Sequence, residues 1–237
     1  MTRLLYRYRW FLLLVVVCTA ADLATKAMVF HALGVTDDEI RQAVTSSEER
    51  YAAQLERYNQ VRATNPDLPA PPPFRIGLPG AHRHEVIDKR VYFDAVLNAG
   101  AFGGLLGGQI MMLVILSVVA VGIVGWMLLR SDLPRYQIVG GLIIAGAFGN
   151  IYDRLNYSCV RDFVEFRWPE IDVQWLNPWN TFNFADSCIV IGIIGLLILE
   201  FFFALKPPDE VKPESTAKAT TTAAKDADAD APSPAAT

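Results

Sequence analysis

Cysteine and histidine are scarce in this chain, three of each. Cys18, Cys159 and Cys188 form no CxxC pair and no metal-ligand spacing, so neither a disulfide framework nor a metal centre is indicated. Cys18 and Cys188 fall inside apolar segments, where a thiol packs as a small hydrophobe. His82 and His84 flank Arg83 in a polar stretch and read as solvated side chains. No basic stripe interleaved with aromatics runs through the sequence, which argues against nucleic acid as a partner. No internal repeat is evident. A β-rich body is missing too, and with it a soluble protease of the pepsin type. The formal charge of −4 is uninformative, because acidic residues of a long loop and of the C-terminal tail dominate it.

What the chain does have is apolar residues in blocks. They make up 52% of the 237 residues, the pattern of a small helical membrane protein. Four spans are predicted, over about 10–33, 109–129, 136–151 (continuing into Tyr152-Asp153-Arg154) and 185–205. The start resembles a signal peptide, and Cys18 a lipidation site. Val17 fits poorly before a lipidated cysteine, however, and Leu23, Ala24, Ala27 and Met28 continue on helical spacing, so an uncleaved span is expected. Arg3, Arg7, Arg9, Arg130, Arg135 and Lys206 put both termini in the cytoplasm by the positive-inside rule. Residues 34–92 form a long polar insert: 37–61 reads as an exposed helix, and Pro66 to Pro79 as extended or turning chain. The tail 207–237 is poor in apolar residues, lacks aromatics, and is expected to be disordered. Residues 1–206 thus read as one four-helix membrane domain.

Polar residues near membrane depth carry the chemistry. Asp162 and Asp186 stand at the two ends of the last connection between spans, so both lie on one side of the membrane. A charge at a helix centre costs roughly 2.5–3.5 kcal/mol on insertion scales, less near an end, and neither aspartate has a cation four residues away. Arg161 is adjacent, but neighbours in a strand point to opposite faces. If the carboxylates meet, repulsion and desolvation make them share a proton. One then activates a water while the other donates to a carbonyl or leaving amine. Asp172 is a rival in a solvent-exposed setting. Asp22 and Lys26 sit at i,i+4, acid first, and read as mutual neutralisation; direct catalysis by Lys26 is the other reading. Gly146 and Gly149 let helices approach closely. Asn150, Asp153 and Arg154 share a helix face, with Asp153 expected to pair with Arg154 or a nearby backbone. Trp168, Trp175 and Trp179 read as an interfacial belt or a lid.

Five segments taken in order resemble one family, lipoprotein signal peptidase or signal peptidase II. They are Asp22-Leu23-Ala24-Thr25-Lys26, Asn98-Ala99-Gly100-Ala101-Phe102, Gly149-Asn150-Ile151-Tyr152-Asp153-Arg154, Val160-Arg161-Asp162-Phe163 and Phe182-Asn183-Phe184-Ala185-Asp186. The resemblance implies an all-α membrane protein of four transmembrane helices with a small extracytoplasmic β-sheet or cradle. It implies an aspartyl endopeptidase of the bacterial inner membrane, without metal or other cofactor. Its substrate would be a diacylglyceryl-modified prolipoprotein, cut just before the lipidated cysteine. The catalytic pair falls on Asp162 and Asp186. Asn98, Asn150, Arg154 and Asn183 fall on positions that orient substrate and dyad; Asp22, Lys26 and Asp153 fall on supporting positions. The implied partners are prolipoproteins and membrane lipids, with the protein a monomer. The chain departs from the family pattern in three places: Phe102 comes one residue early, the 34–92 insert is longer, and the Asp162–Asp186 step is stretched. The rival classes are a channel or transporter with a carboxylate ion path, and a non-enzymatic scaffold.

Overall fold

The computed structural model describes residues 2–71, 73–80, 82–100, 108–130, 133–171, 173 and 177–203. Ala101, Phe102, Asp172, Trp175, Lys206 and the tail 207–237 lie outside the described residues. The order of elements is α1 (Thr2–Ala32), α2 (Asp37–Thr64), β1 (Arg83–Ile87), β2 (Val91–Asn98), α3 (Ile110–Arg130), α4 (Pro134–Tyr157), β3 (Val160–Phe166) and α5 (Phe184–Phe203).

Helices α1, α3, α4 and α5 are long and apolar enough to cross a membrane, over Tyr8–Ala32, Ile110–Leu128, Pro134–Tyr157 and Phe184–Phe202. Of these spans α4 is 56% buried, against 17%, 11% and 17% for α1, α3 and α5. It is therefore the inner helix, packed by the other three. Their outer faces carry exposed Leu13, Val16, Ile115, Val119, Ile194 and Leu197, the surface that hydrocarbon covers. Two glycines of α4 make the close approach possible. A Cβ on Gly146 would collide with the carbonyl oxygen of Ala185, and one on Gly149 with the Asp22 carboxylate.

The three strands form one antiparallel sheet in the order β1-β2-β3. Its first two strands lie in the connection between α1 and α3, and the third comes from the connection after α4 and carries Asp162. Pairing β2 with β3 puts Val96 opposite Asp162, Leu97 opposite Arg161 and Asn98 opposite Val160. Because the two inter-helix connections share a sheet, both leave the bundle on the same side. Ser158, in the left-handed conformation at φ 54°, ends α4 and turns the chain into β3, its N–H held by the Arg154 carbonyl at 3.1 Å.

The insert contains a helix slightly longer than expected. Its start is fixed by a capping box, in which Thr36 and Glu39 satisfy each other's backbone N–H groups. Its first turns are covered: Ile40, Ala43 and Val44 join Phe30, Leu97 and Phe163 in an apolar core between α2, the sheet and the end of α1. Beyond that the helix is mainly exposed. The described residues of the proline-dense return have no regular structure and pack along it, with Phe74 edge-on to Tyr51 at 5.2 Å and the Tyr58 hydroxyl donating to the Pro69 carbonyl.

Candidate active site

The site lies where α1, α4 and the start of α5 meet the sheet. Asn183 precedes α5 and acts as its cap: its side-chain oxygen accepts from the Asp186 N–H at 2.9 Å, and the Asp186 carboxylate accepts from the Asn183 N–H at 3.1 Å. The first turn of a helix has N–H groups without intrahelical partners, so Asp186 is held by the helix it opens. The same Asn183 reaches sideways. Its amide donates to Asp162 Oδ1 at 2.7 Å and to Asn150 Oδ1 at 3.1 Å. Asn150 then donates to Asp186 Oδ1 at 2.8 Å.

Asp162 is almost fully buried, at 1% exposure. It points to the sheet face that carries Asn98, whose amide donates to its Oδ2 at 3.0 Å. Burial pushes its carboxyl well above the usual carboxylate range, and the neighbouring Asp186 charge pushes the same way. The amides of Asn98 and Asn183 and the more distant Lys26 charge oppose this. Both oxygens of Asp162 thus hold an amide donor, and one asparagine links it to Asp186.

Beneath the pair lies a buried ionic network. Lys26 Nζ contacts Asp22 Oδ2 at 2.8 Å, Asp153 Oδ2 at 3.1 Å and Asn150 Oδ1 at 3.2 Å, with both ion-pair partners out of solvent. The i,i+4 pairing of Asp22 with Lys26 is therefore present. The other Asp22 oxygen accepts from the Ala185 N–H at 2.9 Å, which ties α1 to the first turn of α5.

Of the two partners expected for Asp153, Arg154 or a nearby backbone, the structure brings a backbone N–H, that of Arg161, and not the Arg154 side chain. Asp153 faces Lys26 and Arg161, the latter through the Arg161 Nη2 at 2.8 Å and its backbone N–H at 3.0 Å. Consecutive helix residues do not face each other, so Arg154 points elsewhere. Its Nη2 donates to the Gly100 carbonyl at 3.2 Å, while its buried Nε has no hydrogen-bond partner among the described residues. Asn98 Oδ1 accepts from the Gly100 N–H at 3.0 Å, fixing the same turn. Arg161 is the residue that the sequence did not mark. Its one signal was its place beside Asp162, on the opposite strand face.

Between β3 and α5, the described residues on either side of 174–176 are tied together. Asn177 holds them through bonds to Trp168 and Ile171. Trp168 stacks on Phe166 and meets Trp179 edge-on, with centroids 6.3 and 6.0 Å apart.

The described residues thus form a membrane bundle topped by a three-stranded sheet, with two linked carboxylates at the junction. Two solved bacterial membrane enzymes, both obtained by the in meso method, share this fold. They match with TM-scores of 0.54 and 0.51 at 20% identity, over 84% of this chain and 93% and 94% of theirs. The family described as signal peptidase (SPase) II matches residues 74–203. The lipoprotein signal peptidase of Rhodopseudomonas palustris (strain TIE-1) is 42% identical over 122 residues, 48% of this chain and 73% of that protein. That of Clostridium novyi (strain NT) is 30% identical over 123 residues, 51% of this chain and 80% of that protein. The chain belongs to the signal peptidase II family. It is a membrane peptidase of the aspartic type that removes signal peptides from prolipoproteins, which sets aside the channel and scaffold readings.

Proposed function

We propose that Asp162 and Asp186 are the catalytic pair, and that the bond cut lies just before a diacylglyceryl-modified cysteine. The observation that carries this reading is Asn183, which bonds to both carboxylates at once. In the resting pair Asp162 holds the proton, since burial and a neighbouring charge favour its neutral form. Asp186 takes a proton from a water as the water oxygen attacks the scissile carbonyl carbon, and Asp162 gives its proton to the carbonyl oxygen. A gem-diol results, with Asp162 ionised and Asp186 protonated. One gem-diol hydroxyl then returns a proton to Asp162, Asp186 protonates the leaving amine, and the C–N bond breaks. The pair ends in its starting state.

The surrounding residues have positioning tasks. Asn98 and Asn183 hold the two Asp162 oxygens, and Asn150 holds Asp186. The Nε of Arg154, without a hydrogen-bond partner among the described residues, suits a main-chain carbonyl of the substrate. Asp22, Lys26 and Asp153 support the pair from below. Residues 1–206 form the peptidase domain, with 34–92 as its insert and 207–237 as a tail. The sheet side faces away from the cytoplasm, both termini are cytoplasmic, and the protein works as a monomer in the bacterial inner membrane, on substrate that shares its lipids.

The test is cleavage of a diacylglyceryl-modified prolipoprotein by the purified protein with a chelator present. Wild type is expected to cut. Asp162→Asn and Asp186→Asn, folded, should each lose at least about 10²–10⁴-fold, the contribution of a positioned acid or base. Near-normal cleavage by either variant overturns the assignment.

A further inference from the structure

Arg161 is buried, at 4% exposure, and the cleavage scheme does not use it. Three of its donors grip one carboxylate: its backbone N–H reaches Asp153 Oδ2 at 3.0 Å, and Nε and Nη2 reach Asp153 Oδ1 at 3.2 and 2.8 Å. Its guanidinium lies over the Tyr157 ring, 4.4 Å from the centroid. Asp153 and Tyr157 both belong to α4, so Arg161 fastens β3 to the last turns of the inner helix. Strand side chains alternate between faces. Arg161 takes the helix side, and Asp162 is turned to the face of Asn98 and Asn183.

The insert helix reaches the same place. Arg41 of α2 lies over the Tyr157 ring at 5.2 Å and donates to the Asn156 carbonyl at 3.2 Å. Asp37 of α2 lies near the Tyr157 hydroxyl. Charge is balanced as well: Asp22 and Asp153 are matched by Lys26 and Arg161. Without Arg161 the buried group carries an unpaired negative charge, and Lys26 alone serves two carboxylates.

We infer that Arg161 is a positioning residue for Asp162, fixing β3 against α4 through Asp153 and Tyr157, and that the first turns of α2 close its seat from outside. This rests on Asp162 acting in the cleavage. The consequence is specific to rate. A loosened β3 misplaces Asp162 relative to Asp186 without touching the substrate, and a displacement of about 1 Å costs about 10²-fold. It also weakens the amide bonds from Asn98 and Asn183, which favour the ionised form of Asp162. The other charges facing Asp162 are Asp186 on α5, Arg154 on α4 and Lys26 on α1, and the substitutions below leave them in place.

The experiment measures cleavage of a diacylglyceryl prolipoprotein by the full chain, with activity expressed per folded molecule. Arg161→Met is expected to lower kcat about 10²-fold with KM little changed, and to move the alkaline limb of the pH profile to higher pH. Arg161→Lys keeps the charge without the fork and should recover part of kcat. Arg41→Ala, at an exposed position, should shift both readouts in the same direction by less. This last variant keeps the inference testable if Arg161→Met does not fold. Wild-type kcat and pH profile per folded molecule in Arg161→Met, or in Arg41→Ala where only that variant folds, would overturn it, even with a lower folded fraction. Asp162→Asn in the same assay separates the two readings. Its inactivity beside a fully active Arg161→Met removes only the positioning role, whereas an active Asp162→Asn removes the catalytic one.

Discussion

Lys26 has three N–H donors and three oxygen partners, on Asp22, Asp153 and Asn150. Removing one side of a buried pair leaves an uncompensated charge, at about 3–5 kcal/mol. Lys26→Met should therefore lose about that much stability, and adding Asp22→Asn should recover part of it; thermal unfolding in detergent measures both. Asp162 gives a pH dependence of a different kind. Its pKa is raised in the folded protein, so its contribution to stability is fully present below the ordinary carboxylate range and is lost as pH rises through the raised value. Wild type should melt at progressively lower temperature across that window. Asp162→Asn should lack this part of the slope, and an unchanged slope would show that Asp162 is not the group responsible.

At the scale of the element, α4 governs the site, because it is the helix the others pack on and it carries Asn150, Asp153 and Arg154. Its approach to α1 and α5 depends on missing side chains. Gly149 has the Asp22 carboxylate and the Ala185 methyl where a Cβ would go. Gly149→Val is expected to cost about 1–3 kcal/mol by overpacking and to abolish cleavage by displacing Asp22 and the start of α5. Gly122 of α3 has open space around it, and Gly122→Ala should leave cleavage unchanged. Assaying the two side by side separates a local clash from a general effect of substituting a helix glycine.

At the scale of the whole molecule, the shared sheet forces one arrangement. The α1–α3 and α4–α5 connections pair through β2 and β3, so α2, the sheet and the carboxylates lie at one end of the bundle, and the α3–α4 turn at the other. In a background with Cys18, Cys159 and Cys188 replaced by alanine, Gln60→Cys in α2 should react with a membrane-impermeant maleimide added outside the inner membrane. Leu133→Cys, at the other turn, should react only after the membrane is opened. The reverse pattern would invert the proposed topology.

The apolar blocks, the basic flanks and the polar motifs are local features, so they are legible in the sequence. The four spans follow from run length, the Asp22–Lys26 pair from helical spacing, and the close approach at Gly146 and Gly149 from residue size. That Asp162 and Asp186 share one side follows from their place in a single connection. Tertiary structure decided what depends on contacts between distant segments. β3 completes a sheet begun before α3, Asn183 bridges the two carboxylates, and Asp153 pairs with Lys26 and Arg161 instead of the adjacent Arg154. Sequence spacing gives the direction of a side chain within one helix or strand. It does not say which other element will stand opposite, and here the partner of Asp153 is set by the turn at Ser158 that folds β3 back against α4.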